Sequence, residues 1–263
     1  MILVKIGGGA GIRLEEIVRD LAQLEEPFVI VHGANALRDE IVLKMGLDKQ
    51  VITSASGYSS VFSDKNALDA ILMAYSGLRN KRLVELCLTH NILAVGLTGL
   101  DGRIVQGQRN RGIRVVENGK KILKRDFSGK PRSINTALLT LLISQGYTPV
   151  ITIPICDENG FAINSENDDI VCEIQKALNA ETVIQLIEAK GLMEDINDPD
   201  SLIPNLSRAG LARMEQKATG RIKRKMHALN KLAQSGVGQV IICDGRTRNP
   251  VRNGLSGGGT RIQ

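Results

Sequence analysis

A chain of 263 residues that is 43% hydrophobic can bury a large core, as one two-lobed α/β unit or as two small domains. Only 3% of it is aromatic and it contains no Trp, which argues against a base-stacking nucleic-acid surface or a carbohydrate platform, because both rely on exposed rings. The formal charge is +6, yet ten Lys/Arg against two acids between Arg103 and Arg132 concentrate +8 in that one segment, as a docking surface for an acidic partner would.

The chain opens on an apolar run, Met1 to Ile6, broken only by Lys5 and followed by Gly7-Gly8-Gly9. The run predicts a strand buried on both faces, and a lysine inside such a strand needs an anion. Glycines directly behind a strand let backbone N–H groups approach a phosphate. An edge lysine beside an ordinary turn is the other reading of the same residues. Leu14, Ile17, Val18 and Leu21 predict an amphipathic helix next. Phe28 to Val31 repeats the buried strand, ending in His32-Gly33 with a helix from about Ala36 to Met45, so two small-residue loops meet at one sheet edge. His32, at a strand end, reads more readily as a backbone-positioning group than as an acid or base.

Asp64 to Tyr75 and Leu78 to His90 predict two helices parted near Gly77, a candidate dimer surface. Ile92 to Leu97 is a further strand. From Arg103 the pattern turns to alternation. Ile113 to Val116, Asn118-Gly119 and Ile122-Leu123 give a β-hairpin signal, so the basic segment is a projecting hairpin insertion, either a docking surface or a solvated ribbon. Ile134 to Gln145 predicts a helix and Pro149 to Ile153 a strand, and a helix runs behind Asn164 to Asp169 as far as Asn179. Thr182 to Ile187 and Gln239 to Cys243 are further strands, with a helix opening at Thr219 between them. Strands and helices largely alternate, which predicts a three-layer α/β/α sandwich on a mostly parallel open sheet. The expected lobes are 1–177, for the acceptor and a dimer contact, and 178–263, for a nucleotide.

Small-residue loops at Gly7 to Gly9, Gly33 and near Gly191 look like anion cradles. No P-loop, dinucleotide fingerprint, nucleophile elbow or protein-kinase motif set is present. The four cysteines are scattered and histidines number three, so neither a structural zinc site nor any other metal site of the protein's own is expected. No apolar run approaches 18 residues, which predicts a soluble cytoplasmic protein without membrane contact. What remains is Lys5, a lysine of the Lys223 to Lys225 group and Asp168. These are parts for phosphoryl transfer by position and charge.

Lys5-Ile6-Gly7-Gly8, Val31-His32-Gly33, Asn164 with Asp168, Gly220 to Lys225, and Asp244-Gly245-Arg246 with Gly257, Gly259 and Thr260 together resemble the amino acid kinase family over essentially the whole chain. The resemblance is to the N-acetylglutamate kinase branch and, closer still, to the kinases of carrier-bound 2-aminoadipate or glutamate in lysine and arginine synthesis. It implies ATP, Mg²⁺ and phosphorylation of a side-chain carboxylate, with the substrate's amino group masked. By position, Lys5 and Lys225 would be the catalytic cations and Asp168 their holder. Gly7, Gly8 and Gly33 would line the phosphoryl group, with Gly8 and Gly33 donating N–H groups to it. Gly57, Val61 and Asn164 would face the substrate. The mask would be a small acidic amino-group carrier protein (LysW-like), docking on Arg114, Lys120, Lys121 and Lys124 of a homodimeric enzyme. A kinase of free N-acetylglutamate is the alternative. One departure matters: such kinases carry an arginine for the α-carboxylate where Val61 stands, so Arg79 or Arg109 replaces it or the substrate has changed. The loop Ile187 to Gly191 also departs from the family's Thr/Ser-Asp-Val pattern.

Overall fold

The computed structural model describes the chain except for residues 48–49, 54–58, 118–119, 196–197, 199 and 219. Its first units follow the apolar runs and glycines: β1 (Ile2–Ile6), α1 (Leu14–Leu21), β2 (Phe28–His32) and α2 (Asn35–Lys44). β1 and β2 pair in parallel with Lys5 opposite Val31, and their apolar side chains are buried because helices cover both faces. After the antiparallel pair β3 (Val51–Thr53) and β4 (Ser59–Val61), the Asp64 carboxylate accepts a hydrogen bond from Ala67 N–H at 2.8 Å and starts α3 (Lys65–Ile71).

The two helices expected on either side of Gly77 are one. α3 runs without a break into a π-helix (Leu72–Arg79) and on into α4 (Asn80–Thr89). A lone glycine costs a helix only about 1 kcal/mol, and here packing outweighs it. Ile71, Ala74 and Tyr75 enter the core on one face of the sheet, whereas Leu83 and Cys87 enter the core on the other. The helix therefore crosses from face to face.

β5 (Ala94–Gly99) and β6 (Val105–Arg109) precede the expected hairpin. In it β7 (Ile113–Glu117) and β8 (Lys120–Lys124) pair antiparallel as a separate two-stranded ribbon, whose Asn118-Gly119 turn lies outside the described residues. The chain returns through β9 (Gly129–Ile134), α5 (Thr136–Ser144), β10 (Thr148–Cys156), β11 (Ala162–Ile163), α6 (Asn167–Leu178) and β12 (Thr182–Ile187). It ends with β13 (Asn205–Leu206), α7 (Arg208–Lys217), α8 (Gly220–Ala233), β14 (Gln239–Asp244), α9 (Pro250–Leu255) and β15 (Thr260–Ile262).

The main sheet has the order β13-β15-β14-β12-β1-β2-β10-β6-β9, with β5 and β11 also on β10. Helices α1, α4 and α9 pack one face, and α2, α5, α6, α7 and α8 pack the other, giving the three layers expected. The sheet is continuous between the two expected lobes, since β1 lies between β2 and β12. Strands β14, β12, β1, β2, β10 and β6 all run parallel. Gly7 to Gly9, Gly33, Arg109 and Glu188 consequently lie at one edge, the carboxyl edge where open α/β sheets bind ligands.

Candidate active site

Lys5 shares the face of Leu3, whose core includes the buried side of α6. Its Nζ lies 3.0 Å from Oδ1 of Asp168 in the first turn of α6, and the two side chains are only 13% and 22% exposed. The lysine that needed an anion inside the strand therefore has one from the protein itself. The contact is one of charge and not an aligned hydrogen bond, because Asp168 Oδ1 is buried without a hydrogen-bond partner. Ser165 Oγ, just ahead of α6, and Asn167 Oδ1, at its first residue, are also buried and unpartnered.

Just before Asp168, Glu166 meets Arg224 of α8 at 3.0 Å. Loss of water around its carboxyl raises the Glu166 pKa above the usual 4.5, with Asp168 and Asp169 pushing the same way against Arg224 and Lys5. Lys225 follows on the exposed side of α8, and among the described residues no carboxylate pairs with it. Asp168 thus holds Lys5, one of the two lysines expected of it. The contact across from α8 is made by Arg224, one residue earlier, a pair that the sequence reading did not anticipate.

The glycine loops touch backbone to backbone. A Cβ at Gly8 would stand 2.6 Å from Ala34 N and 2.7 Å from Asn35 N, and one at Gly33 would stand 2.9 Å from Gly8 N. Only glycine fits either position. Of the N–H groups expected to face a phosphoryl group, Gly33 N–H donates to Ile6 O and Gly7 N–H to Leu186 O, each at 2.9 Å, which extends the sheet ladders past the strand ends. In this conformation Gly33 contributes close approach and not a donor. Among the described residues Gly8 N–H has no acceptor and remains available.

Glu188 closes the other side of this loop. Its Oε1 accepts from Gly11 N–H at 2.6 Å, and a Cβ at Gly9 would fall on its carboxylate. Arg246 forms a double hydrogen bond to Asp244, which lowers the Asp244 pKa. Gly191, the third suspected cradle, is a packing glycine instead, its missing side chain making room for Thr260 and Leu202.

Asn164 stands four residues before Asp168 and is fixed from the basic segment. Its Nδ2 donates to Ser63 Oγ at 2.8 Å, its N–H to Phe127 O at 2.7 Å, and its carbonyl accepts from Gly129 N–H. Asp126, 4% exposed, binds Ser63 N–H and Ser128 N–H and so ties the foot of the ribbon to the start of α3. Phe127 carries the Arg109 guanidinium over its ring at 4.3 Å. Of the expected docking cations, Arg114 and Lys120 are exposed. Lys124 leans on the Phe62 ring at 5.8 Å, which anchors the ribbon. Gly57 and the side chains of Val61 and Lys121 lie outside the described residues.

His32 is wholly buried, with Nδ1 near Gly33 O and Nε2 3.1 Å from Asn80 Nδ2. Burial drives its pKa down to about 3, so it is a neutral strand-end strut, as its position suggested. Among the described residues no three of His, Cys, Asp or Glu converge as a metal site, and no helix is long and apolar enough to cross a membrane.

The profile described as the amino acid kinase family matches residues 1–244. A LysW-aminoadipate kinase of Thermus thermophilus is 36% identical over 272 residues, covering 100% of both chains. Another, of Deinococcus radiodurans, is 37% identical over 266 residues, covering 100% of this chain and 91% of that one. Among solved structures, N-acetylglutamate synthase of Neisseria gonorrhoeae with coenzyme A and N-acetyl-glutamate superposes with a TM-score of 0.75 at 20% identity, covering 99% of this chain and 58% of the longer synthase. That likeness is one of fold.

Proposed function

The chain belongs to the amino acid kinase family, and from that premise we propose that it phosphorylates the side-chain carboxylate of 2-aminoadipate or glutamate held on an acidic amino-group carrier protein. The product is an acyl phosphate on the way to lysine or arginine. The observation that carries this reading is the Lys5–Asp168 pair at the carboxyl edge of β1, beside the unpaired N–H of Gly8.

A cation with a single carboxylate against it, a backbone donor without an acceptor among the described residues and the unpartnered Ser165 hydroxyl make a set that a phosphoryl end completes, whereas Asn167 Oδ1, an acceptor, suits a donor. ATP with Mg²⁺ would supply the transferable phosphoryl group, the ion being held mainly through phosphate oxygens as is usual for Mg²⁺ on a nucleotide. A carboxylate oxygen of the acceptor forms the new bond to the terminal phosphorus as the bond to ADP breaks. Lys5 offsets the charge that spreads over the transferring oxygens, and Asp168 fixes where that ammonium sits. Gly8 N–H donates to one oxygen. Lys225, without a carboxylate partner among the described residues, supplies the second cation when nucleotide draws α8 inward. Asn164, pinned through Ser63 and Phe127, offers its side chain to the acceptor.

Residues 1–177 hold the acceptor and 178–263 the nucleotide. The basic ribbon, with Arg114, Lys120, Lys121 and Lys124, faces the carrier. The helix through residues 64–89 forms a homodimer contact, and the enzyme works in the cytoplasm. Hydroxylamine trapping of acyl phosphate from carrier-aminoadipate, carrier-glutamate and free N-acetylglutamate ranks the acceptors. Product from none of the three overturns the reading.

A further inference from the structure

We propose that Arg109 binds the α-carboxylate of the acceptor, taking the role for which Val61 is chemically unfit. The inference rests on the kinase reading above and deepens it. The sequence left Arg79 and Arg109 as alternatives, and their surroundings separate them.

Arg79 ends the π-helix, and its Nε and Nη2 are buried without partners. Neither nitrogen presents surface to a carboxylate in this conformation, and burial lowers the pKa of the guanidinium. Arg109 ends β6, on the sheet edge that also carries Lys5 and the glycine loops. Its Nε donates to Asp126 O at 3.2 Å, and its guanidinium carbon stacks over Phe127 at 4.3 Å. These two contacts fix the plane of the group. Among the described residues no acceptor hydrogen-bonds to Nη1 or Nη2, and neither nitrogen is buried, while the Glu158 carboxylate accepts the backbone N–H of Arg109 at 3.0 Å and feels its charge from there.

The same Phe127 that supports Arg109 accepts the backbone N–H of Asn164 at 2.7 Å and donates its own N–H to Ser63 O at 2.7 Å. The acceptor-facing amide and the fork of Arg109 are thus mounted on one residue. A planar fork with two free donors, held in orientation, is the group that recognises a carboxylate by paired hydrogen bonds. A lysine or a free-swinging arginine in the same place would gain far less.

The test is titration calorimetry on the full chain with a non-hydrolysable ATP analogue present. The probes are N-acetyl-2-aminoadipate and 5-acetamidopentanoate, the same molecule without its α-carboxylate. The wild type is expected to bind the dicarboxylate about 30-fold more tightly, and Arg109→Gln to bind both equally with unchanged affinity for the analogue. Arg79→Gln should keep the wild-type ratio. A role confined to packing would weaken both probes together and leave their ratio intact, and that result overturns the proposal. So does a wild type that does not discriminate. Arg109→Lys retains the stem and charge, and loss of most of the ratio there gives the same answer if the glutamine variant folds poorly. Because binding is read without turnover, the hydroxylamine assay on the wild type judges the kinase reading separately.

Discussion

Two aspartates, Asp20 and Asp168, show what distinguishes scaffold from site in this molecule. Asp20 on α1 is 0% exposed, and its carboxylate accepts from Val251 N–H at 2.7 Å, from Arg252 N–H at 3.0 Å and from the Arg252 side chain. It caps α9 and clasps two helices of one layer, with every lone pair that burial threatens occupied. Asp168 is also largely withdrawn from water, but it meets a single ammonium out of line, next to two polar atoms that nothing satisfies. Each buried unpaired group costs about 1 to 3 kcal/mol, and at the sheet's carboxyl edge, beside Lys5, such a shortage is one that a ligand can relieve. Satisfied charge builds here, and unsatisfied charge waits.

The contrast is sharpest if the charges are removed one at a time. Lys5→Met should lower kcat by about 10³-fold in an ADP-release assay while the melting temperature holds, because the cation serves the reaction more than the strand. A loss below tenfold would move Lys5 into the company of Asp20. Asp20→Asn should do the opposite, costing about 3 kcal/mol in urea unfolding with kcat/KM within twofold at low temperature.

His32 belongs with Asp20, and acid exposes it. An unfolded imidazole takes its proton near 6.5 and the folded one only near about 3, so falling pH favours the unfolded chain between those values. Stability should drop by about 2 kcal/mol from this group between pH 6.5 and pH 5. His32→Asn should flatten that part of the stability curve, and an unchanged slope would show that another group sets it. The smallest effect is at the ribbon. Arg114→Glu with Lys120→Glu should raise KM about tenfold for a carrier-linked acceptor and leave N-acetylglutamate untouched. Equal effects on both would make the ribbon a solvated surface.

Much of this was legible in the sequence where the signal is local. The buried strand around Lys5, the glycines behind it and the Asn-Gly hairpin follow from patterns a few residues long, and β1 with the β7–β8 ribbon stands where they put it. Asp168 stood out as a carboxylate at a helix start, the family resemblance made it the holder of the lysines, and the structure sets it against Lys5. The Glu166–Arg224 pair, the Asp126 hub and the stacking of Arg109 on Phe127 join residues with no periodicity between them, so no window of sequence contains them. The glycines misled in a different way. Gly9 and Gly33 were legible as positions without side chains, but not as room for Glu188 or for the neighbouring loop. A glycine announces that something comes close without saying what.

The π-helix at Leu72–Arg79 has a consequence for chain length. A π turn is an α turn with one residue more, so this stretch can shed a residue and rewind as α without unseating Asn80 from His32. Insertions and deletions are ordinarily tolerated at loop tips. In this protein a helix interior is a second such place, and a variant lacking Gly77 should fold where the same deletion in α4 would turn Leu83 and Cys87 away from their core.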